Sequence, residues 1–109
     1  MKHILFELDG CPFSALDNEE HIKFCLLHAA EVSHSKVLKI ETHKFEPQGV
    51  TGFALLAESH LSIHTWPEKG VAVCDIFTCG DSCQPELAVE YLSEWLESTN
   101  TKSKCYERN

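Results

Sequence analysis

The sequence has no long apolar run and few basic residues, and each shortage excludes a class of protein. No apolar stretch approaches the roughly 20 residues that a helix needs to cross a bilayer. Residues 1–9 lack the apolar region and small-residue cleavage site of a signal peptide. Nine basic residues stand against 17 acidic ones, for a net charge of -8, which disfavours nucleic acid and anionic membranes as partners. We therefore expect a cytoplasmic protein.

Paired cysteine motifs are also missing, although the chain has six cysteines. Four residues separate Cys74 from Cys79 and three separate Cys79 from Cys83, which is not the C-x-x-C spacing of a structural zinc site. A reducing cytosol would keep such thiols free, so we expect no disulfide framework. A metal site that recruits His60 and His64 is the weaker alternative, and we predict no metal.

The chain has no internal repeat or linker, and 109 residues suffice for one core but not two. Apolar periodicity predicts four strands and two helices. The strands are predicted at 3–9, 36–46, 51–57 and 71–78, the helices at 17–33 and 85–98, and residues 102–108 as either an edge strand or a frayed tail. This order predicts an α+β fold, a two-layer sandwich with two helices on one face of a mostly antiparallel sheet. The bare face predicts a homodimer packed sheet to sheet.

A polar stretch at 58–68 interrupts this apolar pattern. Five polar or ionisable side chains occur between Glu58 and His64, directly after the apolar run 53–57. Because each buried polar group needs a partner, a strand that enters a core normally avoids such a cluster. We therefore interpret the stretch as a functional site. Ser59 and His64 are an odd number of positions apart and would face opposite ways on a regular strand, so we predict a bend, bulge or turn between them.

The residues alone leave three chemistries open for this stretch. An activated Ser59 could support hydrolysis, but the strand-to-helix motif G-x-S-x-G is absent. Cys79 and His64 could form a cysteine protease pair, but no local signature supports it. The third interpretation places Ser59, His60 and His64 as hydrogen-bonded residues at the edge of a binding cleft, and the isolated residues favour it.

Longer motifs decide between these interpretations. The segments are H-K-F-E-P-Q-G-V-T-G at 43–52, E-S-H-L-S-I-H-T-W-P-E at 58–68 and D-I-F-T-C-G at 75–80. Together with the N-terminal 2–11, they closely resemble the prokaryotic S-adenosylmethionine decarboxylase proenzymes, a pyruvoyl-dependent decarboxylase family. The resemblance covers most of the chain and weakens beyond about residue 98.

The resemblance implies that the chain cuts itself. The hydroxyl of Ser59 would attack the carbonyl of Glu58, and elimination and hydrolysis would leave a pyruvoyl group in place of Ser59. The single 109-residue domain would then exist as fragments 1–58 and 59–109. By resemblance, His64 is the base in this processing and Thr51 supplies a helper hydroxyl.

The resemblance also implies decarboxylation of S-adenosylmethionine to the aminopropyl donor for spermidine, a polyamine. The pyruvoyl group would form a Schiff base with the substrate amine, and Cys79 would be the proton donor. Phe45 and Trp66 would flank the adenine, and Glu68 would bind the ribose hydroxyls.

Two alternatives to this function stay open at the level of the sequence. The first is the same pyruvoyl chemistry on arginine or ornithine, because Lys69 and Val71 stand where many relatives have aromatic residues. The second, from a different class, is a homodimeric binding protein that neither cuts itself nor catalyses a reaction.

Overall fold

Alternating apolar and polar residues build a six-stranded antiparallel sheet in the computed structural model, which describes residues 1–109. The strands are β1 Lys2–Asp9, β2 Val37–Lys44, β3 Val50–Leu56, β4 Ser59–Trp66, β5 Val71–Thr78 and β6 Asn100–Glu107. The helices are α1 Phe13–Leu16, α2 Glu19–Val32 and α3 Pro85–Trp95, and Pro67–Lys69 forms a 3₁₀ turn. The strands lie in the order β2-β3-β4-β5-β1-β6. The predicted α+β class is confirmed.

One face of the sheet carries the core. Helix α2 packs on β2 and β3, and α3 packs on β1 and β5. Gly52 permits the close contact between α2 and β3, because a Cβ at that position would lie only 2.9 Å from Cδ1 of Leu26. The two long helices therefore lie on one face of the sheet, as predicted.

Helix α2 begins at Glu19, two residues after the start predicted at residue 17. The side chain of Asn18 caps the helix by accepting from the backbone N–H of His21 at 3.1 Å. Asp17 instead accepts from the N–H of Gly49 at 2.8 Å and pairs with Lys44 Nζ at 3.0 Å. These two contacts hold the pKa of Asp17 below its usual value. Asp17 thus joins the helix layer to the β2–β3 turn.

The polar stretch is itself a regular strand, β4, which the sequence pattern did not identify as a separate element. Its pairing with β3 runs in continuous register, from Ser59 opposite Leu56 to His64 opposite Thr51. The predicted bend or bulge between Ser59 and His64 is therefore wrong. Both neighbours of β4 are strands, so its backbone is satisfied on both sides. The side chains of His60, Ser62 and His64 line the uncovered face.

Strand β6 settles the C-terminal alternative in favour of an edge strand. It pairs with β1 from Asn100 opposite Asp9 to Glu107 opposite Lys2. All eight of its residues are exposed, and its alternating lysines are typical of an edge protected from further pairing.

The face opposite the helices is uncovered, and we call it the open face. Several large apolar side chains are exposed on it, among them Leu5, Phe53, Leu55 and Val73. No helix of the chain has the length and apolar character that a membrane crossing requires.

Candidate active site

The bond between Glu58 and Ser59 lies at the tip of the β3–β4 hairpin. Leu56 pairs with Ser59, so only Ala57 and Glu58 connect the two strands. Glu58 has a φ of 63°, a left-handed conformation that costs a residue with a side chain about 1–2 kcal/mol. An exposed and strained residue therefore precedes the serine, and backbone strain of this kind concentrates at functional sites.

Ser59 is held by the end of the adjacent strand. The backbone N–H of Cys79, one residue beyond β5, donates to Ser59 Oγ at 3.2 Å. Cys83 Sγ in turn donates to the carbonyl oxygen of Cys79 at 3.3 Å. The structure thus brings together Glu58, Ser59 and Cys79, and we call these three residues the cleavage cluster.

The other predicted residues meet at the far end of β4. Thr51 Oγ1 lies 3.1 Å from His64 Nδ1 across the β3–β4 ladder. Both line a cavity of about 340 Å³, which we call the pocket. Its wall also includes the three residues predicted to bind substrate: Phe45, Trp66 and Glu68. The aromatic rings of Phe45 and Trp66 are each nearly half exposed, so they are free to contact a ligand.

Thr65 anchors the pocket to the core. Its buried hydroxyl accepts from the N–H of Val50 at 2.8 Å and donates to the carbonyl of Leu16 at 2.9 Å. Sequence reasoning did not select Thr65, because its partners lie 15 and 49 positions away in the chain.

The cleavage cluster and the pocket lie apart within one chain. Ser59 and His64 are five positions apart on an unbroken strand, a separation of about 16 Å. Residues an odd number of positions apart also point to opposite faces. One protomer therefore does not bring His64 to Ser59.

A further polar cluster on the open face was missed by sequence reasoning. Asp75 on β5 accepts from His3 Nε2 at 2.7 Å, from His60 Nε2 at 2.8 Å and from the hydroxyl of Ser62. Burial raises the pKa of Asp75, but the hydrogen bonds from Ser62, His3 and His60 outweigh burial and lower the pKa below its usual value. The sequence signal was the presence of polar residues on one face of three strands. This signal identifies the cluster only when the strand order β4-β5-β1 is known.

The remaining cysteines differ from Cys79 in their surroundings. Burial raises the pKa of Cys25 to about 12. Burial, followed by the nearby charge of Asp9, raises the pKa of Cys11 to about 11. Because the thiolate is the reactive form, these two buried thiols are inert. Cys79 is half-buried and accessible to a reactant.

Comparison with known proteins assigns this chain and its fold to a class, the decarboxylases. The crystal structure of the adenosylmethionine decarboxylase from Aquifex aeolicus VF5 matches with a TM-score of 0.90 and 36% identity, over 98% of this chain and 88% of that one. The family model described as S-adenosylmethionine decarboxylase matches residues 2–109. The chain belongs to the S-adenosylmethionine decarboxylase family.

Similar proteins from bacteria and archaea carry the same family name. The S-adenosylmethionine decarboxylase proenzyme of Prochlorococcus marinus (strain MIT 9313) is 49% identical over 107 residues, which cover 98% of this chain and 86% of the relative. The protein of the same name from Methanococcus maripaludis (strain DSM 14266) is 46% identical over 101 residues, 93% of this chain and 83% of the relative.

Proposed function

We propose that this enzyme decarboxylates S-adenosylmethionine, using a pyruvoyl group that it makes from its own Ser59. The observation that carries the proposal is the geometry of the hairpin tip. Glu58 holds the peptide bond in a strained and exposed turn, and the Cys79 N–H holds the hydroxyl of Ser59. The product would serve as the aminopropyl donor for spermidine.

Self-cleavage begins with the attack of Ser59 Oγ on the carbonyl carbon of Glu58. The C–N bond of the peptide breaks, the serine nitrogen takes a proton, and an ester replaces the amide. Removal of the Cα proton of Ser59 then expels Glu58 as a free carboxylate. Water adds and ammonia leaves, which creates the new end of fragment 59–109. The strain at Glu58 favours this sequence because cleavage releases it.

The N–H of Cys79 donates to Ser59 Oγ, the atom that attacks the carbonyl of Glu58 and then leaves in its carboxylate. This donor therefore positions the nucleophile and stabilises the departing oxygen during the steps that create the pyruvoyl group. Such a group supplies an electron sink when carbon dioxide departs. Cys79, whose backbone touches Ser59, is the proton donor to the substrate carbon in this proposal.

The pocket receives the nucleoside part of the substrate. Phe45 and Trp66 offer exposed rings at the cavity of about 340 Å³, and aromatic faces bind a flat purine by stacking. The carboxylate of Glu68 on the same wall accepts hydrogen bonds from hydroxyl groups such as those of ribose.

A homodimer completes the site in this proposal. One protomer holds the cleavage cluster and the pocket about 16 Å apart. Two protomers can pack with their open faces together, related by a two-fold axis that lies between the faces and passes the middle of β4. The Ser59 end of β4 in one protomer then lies over the His64 end of β4 in the other. The partner's His64 then becomes the base for the Cα proton of Ser59. The exposed apolar side chains of the open face would be covered in the same interface.

The intact mass of the purified protein tests self-cleavage. We expect the wild type to separate into fragments of residues 1–58 and 59–109, with the second fragment carrying a carbonyl that hydroxylamine traps. Ser59→Ala should remain a single chain of 109 residues. The matched control is Ser93→Ala, at a half-buried serine on α3 whose hydroxyl contacts Thr101, and it should be cut like the wild type. A wild-type chain that stays whole would overturn the proposal and indicate a protein that binds without catalysis.

Product analysis tests the substrate. The self-cleaved enzyme is incubated separately with S-adenosylmethionine, arginine and ornithine, and the amine products are identified. We expect turnover of S-adenosylmethionine alone, and a raised KM for it in Phe45→Ala because a stacking ring is lost. Release of agmatine or putrescine instead would contradict the proposed substrate while leaving the self-cleavage intact.

A further inference from the structure

The polar cluster on the open face contains two histidines that bind one carboxylate oxygen. His3 Nε2 and His60 Nε2 lie 2.7 and 2.8 Å from Asp75 Oδ2, and Ser62 donates to the other oxygen. An ionised carboxylate can only accept hydrogen bonds. Each Nε2 atom therefore carries a proton, and the chemistry of each ring depends on its second nitrogen, Nδ1.

The two rings differ at Nδ1. Arg108 Nη1 donates to His3 Nδ1 at 3.1 Å, so both ring nitrogens of His3 have protein partners. No protein group is within hydrogen-bonding distance of His60 Nδ1, and the side chain of His60 is 42% exposed. His60 is thus the member of the pair whose second nitrogen is open to a bound ligand, with the carboxylate of Asp75 hydrogen-bonded to the other side of the ring.

The same contacts make the cluster unsuitable for a metal ion. His3, His60 and Asp75 have ligand atoms within 4.8 Å of one another, but both imidazoles direct their Nε2 protons at a single carboxylate oxygen. A histidine that ligates a metal almost always donates its second N–H to an acceptor. At His3 that nitrogen faces the guanidinium of Arg108, which is a donor and a cation.

His60 is also the residue that directly follows Ser59. Its backbone nitrogen is bonded to the carbonyl carbon of Ser59, so after self-cleavage His60 bears the reactive acyl group. An amino-acid substrate arrives at neutral pH as an ammonium ion. Its nitrogen has no free electron pair until a proton leaves, so it cannot attack a carbonyl carbon before that happens.

We propose that His60 Nδ1 accepts this proton and that Asp75 is the positioning residue that holds His60 for the task. The N–H bond of the substrate ammonium breaks, the proton moves to Nδ1, and the electron pair stays on the substrate nitrogen. This assignment rests on the proposed function, since it needs the carbonyl derived from Ser59. It is separate from the partner's His64, which acts on the Cα proton during self-cleavage.

Reductive trapping tests the assignment with a readout other than turnover. Self-cleaved protein is mixed with S-adenosylmethionine and cyanoborohydride, and the gain in mass of the 59–109 fragment is followed over time. A parallel reaction uses hydroxylamine, which is unprotonated at neutral pH and needs no base. We expect His60→Asn to slow trapping of S-adenosylmethionine about tenfold or more, while hydroxylamine reacts within about threefold of the wild-type rate.

Two further variants separate proton transfer from a structural role. Asp75→Asn, which removes the charge that stabilises the imidazolium, should behave like His60→Asn. His3→Asn is the matched control, because His3 binds the same oxygen at nearly the same distance, and it should trap S-adenosylmethionine at the wild-type rate. The difference in trapping rate between His60→Asn and the wild type should become smaller at higher pH, because the substrate amine then loses its proton to solvent.

Several results would overturn the assignment. The first is that His60→Asn traps S-adenosylmethionine at the wild-type rate. The second is that His3→Asn slows this trapping as much as His60→Asn does. The third is that His60→Asn slows the reaction with hydroxylamine to the same extent. Failure of both His60→Asn and Asp75→Asn to self-cleave would also overturn it, because His60 would then be needed before any substrate binds. An uncut wild-type chain would instead contradict the proposed function itself.

Discussion

Thr51 Oγ1 and His64 Nδ1 lie 3.1 Å apart on directly paired positions of β3 and β4. The contact orients the imidazole in the wall of the pocket and engages one of its two nitrogens. Because the two residues are 13 positions apart in sequence, only the tight hairpin between their strands makes them neighbours.

Removal of the Thr51 hydroxyl should slow self-cleavage. Thr51→Val keeps the shape of the side chain and loses the hydrogen bond, whose net value of about 0.5–1.5 kcal/mol corresponds to a slowing of up to about tenfold. Thr51→Ser keeps the hydroxyl and should cleave at nearly the wild-type rate. The rate is measured from the appearance of the two fragments on a denaturing gel. Equal rates for the valine and serine variants would show that the hydroxyl has no role.

Mixed dimers test whether two chains share one site. We expect Ser59→Ala and His64→Asn each to remain uncut when expressed alone. In a heterodimer of the two, Ser59 of the His64→Asn chain meets the intact histidine of the Ser59→Ala chain. Co-expression should therefore yield cut His64→Asn chains, identified by mass. If that chain stays whole in purified heterodimers, Ser59 and His64 do not meet across an interface.

Substitution of Cys79 should separate decarboxylation from self-cleavage. In Cys79→Ser the backbone N–H that donates to Ser59 Oγ is retained, so the chain should still be cut. Loss of the thiol, which we propose as the proton donor, should reduce kcat for carbon dioxide release by about 100-fold. Cys105→Ser, at an exposed position on β6, is the control and should match the wild type. Wild-type turnover by Cys79→Ser would exclude the thiol as the proton donor.

Removal of the buried Thr65 hydroxyl should lower the free energy of unfolding more than removal of an exposed threonine hydroxyl. Thr65→Val leaves the N–H of Val50 and the carbonyl of Leu16 without this buried partner, and we expect a loss of about 1–3 kcal/mol in the free energy of unfolding. Thr101→Val, on the exposed strand β6, should change it by less than about 0.5 kcal/mol. Urea denaturation of the uncut Ser59→Ala background gives both values.

The elements with strong apolar periodicity were predictable because periodicity is a local property. The pattern Ile4, Phe6 and Leu8 indicated β1 and its buried face, and all three are buried. Strand β4 was not predicted as a separate strand because its uncovered face is polar, with His60, Ser62 and His64 at alternate positions. A polar face between two apolar neighbours is recognisable only when the neighbouring strands are known.

The sequence by itself determined the fold class, the family and the kinds of side chain available for chemistry. Those properties depend on local periodicity and on contiguous motifs such as 58–68. Only the tertiary structure decided which of these side chains meet, since a regular strand separates Ser59 from His64 while strand order gathers His3, His60 and Asp75 from three strands. Proximity between distant positions depends on strand order and register, which the packing of the whole chain sets.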